Sequence, residues 1–201
     1  MNKSEKTKIT KQKILEAAMK EFATYGYHGA TINGICGHNE ITKGLIYHNF
    51  EGKDDLYLCC AHYAVSEFIH YVGQWEANAD LLQYMRLRNE FLISHPYMGA
   101  IIFEIMLNTP QELMEPLITI KSDFDRFNID LYSRAIHTIK LREGITDQDA
   151  LRYYNLLQNM LNSYFSQQIL SGEPFPMAAA SHEKDLETIL NYILYGIAEK
   201  P

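Results

Sequence analysis

Between Thr31 and Phe50 the chain reads TINGICGHNEITKGLIYHNF, and no other stretch narrows the possible folds as far. Ile32, Ile35 and Cys36 share one face of a short helix. Ile41 is the apolar residue of a turn, and Leu45, Ile46 and Phe50 continue the buried side. Thr31 and Thr42 each stand just before a helical run, where a hydroxyl can accept from otherwise unpartnered backbone N–H groups. Two short helices joined this way form a helix-turn-helix, which sets its second helix in the major groove of DNA. The spacing therefore predicts a DNA-binding element over residues 31–50.

Helical periodicity dominates the remainder, with no sustained strand alternation. A first helix is expected after Thr10, running to about Tyr25 with Ile14, Leu15, Ala18, Met19 and Phe22 inward and Gly26 as its stop. A helix opening at Gly52, with Asp54 and Asp55 in its favourable first turn, continues towards Trp75. Leu81 to Ser94 and Pro96 to Asn108 follow. Thr109-Pro110-Gln111-Glu112 reads as a capping box. Pro116 is expected to break or kink the chain before a helix from Leu117 to Leu141. Gly144 ends that segment, Thr146 caps a helix over 147–170, residues 171–176 form a loop, and a last helix spans Ser181 to Glu199. Against the motif stand Asn33-Gly34, a hairpin dipeptide, and Gly34 and Gly37, which each cost a helix about 1 kcal/mol relative to alanine.

The strings ILEAAMKEFATYGYHGATI, from Ile14 to Ile32, and ITKGLIYHNFEGKDDLY, from Ile41 to Tyr57, carry a further signal. They resemble the DNA-binding domain of the TetR family of bacterial transcriptional regulators, the likeness extending from about Lys8 to Tyr63. It departs from the family pattern in the turn, where Glu40 stands in place of the usual glycine and Asn39 is expected to take the left-handed conformation. The resemblance implies an all-α protein with an N-terminal three-helix DNA-binding domain over 8–63. A linking helix would join it to a helical ligand-binding and dimerisation domain over 64–201. It also implies repression as the default mode, a palindromic operator in double-stranded DNA, and release by a small-molecule effector.

Geometry short-lists the residues that meet DNA. In a helix starting after Thr42, Lys43, Gly44, Tyr47 and His48 face outward, while Leu45 and Ile46 are at least partly buried. Lys43 can donate to guanine or phosphate, Gly44 admits a close backbone approach, and Tyr47 and His48 can donate to phosphate or a base. A ring packed under the helix is an equal alternative for Tyr47. Thr31, Lys53, Lys8 and Lys11 are phosphate clamps by resemblance.

The net charge of −7 looks wrong for a DNA binder until it is divided. Through Lys53 there are eight lysines against five glutamates, net +3, which leaves −10 on the remainder. Positive charge thus sits where phosphate would be met, and the acidic body would be held off the duplex. Three cysteines without disulfide spacing, a polar N-terminus, and no apolar run long enough to span a bilayer lead us to expect a cytoplasmic protein with free thiols.

In the acidic part, aromatic density suggests a pocket for a lipophilic or aromatic effector, with Tyr71, Trp75, Phe103, Glu104 and Phe127 as candidate contacts. Glu104, the one charge in Gly99–Leu107, is expected to be paired internally, with Arg88 or His95, rather than to face a cationic ligand. Leu156, Leu157, Met160, Leu161, Tyr164 and Phe165, with Leu186, Ile189, Leu190, Ile193 and Leu194, form wide apolar stripes. These supply core and, by resemblance, the homodimer surface of the last two helices. Three other readings are weaker. An all-helical enzyme lacks a phosphate loop, a nucleophile elbow and metal-ligand spacing. A metal sensor would rest on Cys59 and His62 alone. A helical interaction module with no DNA role is the other alternative, which a gel shift on the protein's own promoter region separates. Neither a metal nor a cofactor is expected.

Overall fold

The computed structural model describes residues 3–38, 41–74 and 81–197, and over them every extended regular element is a helix. In chain order these are α1 (Lys3–Gly29), α2 (Ile32–His38), α3 (Lys43–Asn49), α4 (Lys53–Gly73), α5 (Leu81–Ser94), α6 (Pro96–Leu107), α7 (Met114–Ile136), α8 (Asp147–Leu170) and α9 (Phe175–Ile197). Asn39, Glu40 and Trp75 lie outside the described residues. No single described helix is long and apolar enough to cross a membrane.

The first helix begins well before Thr10, because the Lys/Glu/Gln-rich start is made of good helix formers. It breaks where expected: Gly26 adopts φ 67°, ψ 172°, and a last turn resumes beyond it. That conformation is essentially restricted to glycine. Ile14, Ala18, Met19 and Phe22 are buried against α2, α4 and α6. The Asn33-Gly34 pair lies inside α2 and forms no hairpin. Gly34 is needed there because a Cβ would stand 1.8 Å from Glu21 Oε1 on α1, so close packing outweighs the propensity cost.

Three local expectations are corrected. Thr109 does not cap a helix: its hydroxyl donates to the Ile105 carbonyl and accepts from Lys121 Nζ, and a short 3-10 turn, Gln111–Leu113, follows instead. Pro116 neither breaks nor kinks the chain, because it falls in the first turn of α7, where its missing N–H is no loss. The last helix starts six residues earlier than expected, at Phe175, with Pro176 in its opening turn. The Thr146 cap forms as a reciprocal box with Asp149. Hydrogen bonding from Thr146 holds the Asp149 carboxyl below its usual range.

The central helix of the body is α6. Ile101, Ile102, Phe103, Ile105 and Leu107 are all buried, and α6 packs on α1 and α4 as well as on α5, α7, α8 and α9. It therefore touches both the N-terminal helices and the rest of the body.

Candidate DNA-binding head and body cavity

The head presents one short helix outward. The Thr42 hydroxyl accepts from the Leu45 N–H at 3.3 Å, capping α3. Ile46 is fully buried and anchors α3 on the head's core, with Ile41 and Phe50 at its two ends. Lys43, Gly44, Tyr47 and His48 are all exposed. Tyr47 retains 58% exposure, so its ring is not packed under the helix, and nothing lies near a Cβ built on Gly44. Leu45 is more open than expected, at 37%. Thr31 caps α2 by accepting from the Gly34 N–H. Lys11 Nζ lies 5.7 Å from the Phe50 ring centre, which brings the N-terminal half of α1, with exposed Lys8, beside the end of α3.

Lys53 is placed differently from a free clamp. Its ammonium donates to the Tyr27 carbonyl at 2.9 Å and the Ala30 carbonyl at 3.5 Å. It also stands 4.3 Å from the centre of the Tyr27 ring. In this arrangement it ties α4 to the α1–α2 corner and so positions the head.

Comparison with known proteins bears first on the head. The sequence profile described as "Bacterial regulatory proteins, tetR family" matches residues 14–60. Residues 14–60 thus carry the TetR-family DNA-binding domain. The HTH-type transcriptional repressor AcnR of Corynebacterium diphtheriae is 27% identical over 170 residues, covering 82% of this chain and 84% of that protein. A TetR-family regulator from Pectobacterium atrosepticum superposes with TM-score 0.59 at 19% identity over the whole of both chains. FadR of Bacillus subtilis, solved in complex with stearoyl-CoA, does so with TM-score 0.61 at 14% identity, covering 92% and 98% of the two chains. The profile and the repressor make this chain a DNA-binding transcriptional regulator. The solved structures share its fold, a helix-turn-helix domain followed by a helical body.

The body holds a partly open cavity of about 210 Å³ between α5, α6, α7, α8 and α9. Of the residues singled out in the sequence, Phe103 lines it. Tyr71 does not: it packs on Phe91 and His95 between α4 and α5. Phe127 lies against Phe68 and Gly73. Neither ring lines the cavity: Tyr71, on α4, is turned to α5, and Phe127 is turned to α4.

Glu104 is the main correction. It is buried and has neither Arg88 nor His95 as partner. Oε1 accepts the Tyr27 backbone N–H at 2.7 Å, and Oε2 accepts the Tyr57 hydroxyl at 2.9 Å. The Gly26 break makes the first bond possible, since it turns the Tyr27 N–H out of the α1 ladder. Burial pushes the Glu104 carboxyl upward, and these two neutral donors only partly offset that. Tyr27 in turn donates to Asp54 at 2.6 Å. Burial, and then Asp54, push its phenol up to about 12. Glu104 is thus a joint between the body and the head.

Arg88 serves the cavity wall. It grips Glu183 with two bonds of 2.6 Å, and also reaches Tyr84 Oη at 3.3 Å. Burial acts to raise the Glu183 carboxyl, but Arg88 and His182 outweigh it and hold the group down at about 2. His182 bridges Glu183 and Asn162. Nothing in the sequence paired Arg88 with a residue almost a hundred positions away. Cys59 turns its thiol to Asp55, and no group of three potential metal ligands comes together among the described residues.

Proposed function

We propose that this regulator is a repressor that binds a palindromic operator as a homodimer and is released by a small molecule. The observation that carries the reading is the outer face of α3. Its N-terminus is capped and its inner side anchored by Ile46, so Lys43, Gly44, Tyr47 and His48 project together. One such helix spans too few base pairs to specify an operator, and two-fold pairing places a second copy about one duplex turn, ~34 Å, away. The surface proposed for pairing is on α8. Tyr153, Leu156, Met160 and Tyr164 follow one face and remain 42–58% exposed, whereas Leu161 and Phe165, with Leu186 and Leu190 of α9, are spent on the core. The side chains of Ile193 and Leu194 lie outside the described residues.

Release requires that the effector bind the DNA-incompetent arrangement more tightly. The geometry offers a route. One side of α6 presents Ile102, Phe103, Met106 and Leu107 to the cavity, and its other side holds the head through Glu104. A shift of α6 on filling the cavity would move the α1–α2 corner directly. The domain division at about residue 63 falls within α4, which serves both halves.

The test is an electrophoretic mobility assay on the gene's own promoter region at rising salt. Binding that weakens steeply, with a slope near −0.9 per phosphate contacted, is expected. Lys43→Ala should cost about 1–3 kcal/mol at a base contact. Retention of full affinity by a folded Lys43→Ala protein would remove that residue from the interface.

A further inference from the structure

The α8 wall of the cavity has a chemistry that packing does not explain. Asn155, Gln158, Asn159 and Asn162 recur at i, i+3, i+4 and i+7, and all four line the cavity. The stripe is half-buried at Asn155, Gln158 and Asn162 and exposed at Asn159, so it forms the wall and the rim of the cavity rather than a filled core. Asn162 Oδ1 is joined to His182 at 2.9 Å, and Gln158 reaches Tyr154 Oη only at 3.4 Å. Asn155 and Asn159 have no side-chain hydrogen bond among the described residues. From α7, Asn128 adds a fifth carboxamide, already bonded to Tyr84 and to the Phe124 carbonyl. The fixed charges in the wall are balanced or peripheral: Arg88 is consumed by Glu183, and Asp125 is exposed.

We propose that the cavity binds a small uncharged molecule bearing adjacent hydrogen-bond donors and acceptors, of the kind a nucleobase or a sugar presents. The proposal rests on the ligand-responsive reading above and names its effector class. A carboxamide offers a donor and an acceptor side by side, so a stripe of them matches such an edge without supplying net charge. An anion would meet Asp125, with Arg88 already committed to Glu183 and no uncommitted cation among the described lining residues. A lipophilic ligand, the class expected from aromatic density, would cover the Asn155 carboxamide without partnering it, at a cost in desolvation. A volume of about 210 Å³ holds several waters but falls short of drug-sized sites, roughly 300–1,000 Å³.

The experiment is thermal melting of the full chain with millimolar uracil, adenine or glucose, set against succinate, decanoate and tetraphenylphosphonium. At least one of the three uncharged compounds is expected to raise Tm. Asn155→Leu and Asn159→Leu, each checked for fold by circular dichroism, should weaken that compound's affinity about tenfold, as loss of one or two neutral hydrogen bonds does. A larger Tm gain with succinate, decanoate or tetraphenylphosphonium overturns the proposal. So does the absence of any gain with all three uncharged compounds, or unchanged affinity in both variants. Stabilisation by an uncharged compound that leaves DNA binding intact would uphold the ligand class while refuting release as the mode of regulation.

Discussion

The head–body joint and the cavity wall each bury a carboxylate, and they do so under opposite conditions. Glu183 faces the Arg88 guanidinium in a two-bond grip, which holds its carboxyl at about 2. Glu104 faces a backbone amide and a phenol, with no cation in contact, and burial drives its carboxyl upward. The first arrangement is strong when whole and costly when halved. The second is a carboxylate whose direct partners are neutral donors, with His28 and Lys53 acting on it from a distance, and so it is easily perturbed. A regulator has use for both: a rigid pair that shapes the cavity, and a marginal contact where the body meets the head.

The largest effect should come from halving the strong pair. Arg88→Met leaves Glu183 buried without its counter-ion, and a loss of about 3–5 kcal/mol is expected in urea unfolding. Adding Glu183→Gln to that variant should recover part of the loss, because the stranded charge is gone. If Arg88→Met alone unfolds at the wild-type urea midpoint, the contrast between the two carboxylates disappears.

Next in size is Gly26→Ala, which strikes the weak joint. The new Cβ would lie 2.9 Å from Glu104 Oε1 and would have to adopt φ 67°. We expect a cost of about 1–3 kcal/mol for the backbone alone. An alanine variant as stable as wild type would mean that the break is not enforced by glycine.

The smallest effect, and the sharpest, is in the pH profile. Glu183 has a folded-state value below its unfolded one, so its contribution is present above the ordinary glutamate range and is lost as pH falls towards about 2. Glu104 has the reverse sign. Its contribution is greatest below the ordinary glutamate range and declines as pH rises through its elevated folded-state value. Glu104→Gln preserves the shape and the bond from the Tyr27 N–H, and its amide nitrogen can donate to the Tyr57 phenol oxygen in place of the bond that the carboxylate accepted, so the change in stability should stay within about 1 kcal/mol. Its advantage over wild type should grow as pH rises across that window. A difference that is flat with pH would show that the Glu104 carboxyl is not raised.

Much of the architecture was legible because it is written in local chemistry. The Thr42 and Thr146 caps, Pro96 at the first position of α6, and the stop at Gly26 each act within one turn of helix, and each lies where the spacing put it. Long-range pairing was not legible. Glu104 was recognised as a buried charge needing a partner, but Tyr27 and Tyr57 precede it by 77 and 47 residues. No local rule selects a backbone amide over a nearby arginine. Thr109 misled because its hydroxyl had two competing partners, the Ile105 carbonyl and Lys121, that only the folded chain brings close. The carboxamide stripe was readable at its helical spacing, yet the apolar positions interleaved with it drew attention to the opposite face of α8. Lys53 illustrates a different limit, since a side chain assigned to phosphate by family likeness is engaged with the α1–α2 corner.

The bond between the Tyr27 N–H and Glu104 gives the molecule a native reporter. A helical amide normally exchanges its hydrogen with solvent at a rate set by fraying or opening of its own helix. The Tyr27 amide, turned out of the α1 ladder at Gly26, is protected instead by a side chain from the body. Its exchange rate therefore counts how often the body lets go of the head, one residue away from the break that makes the count possible.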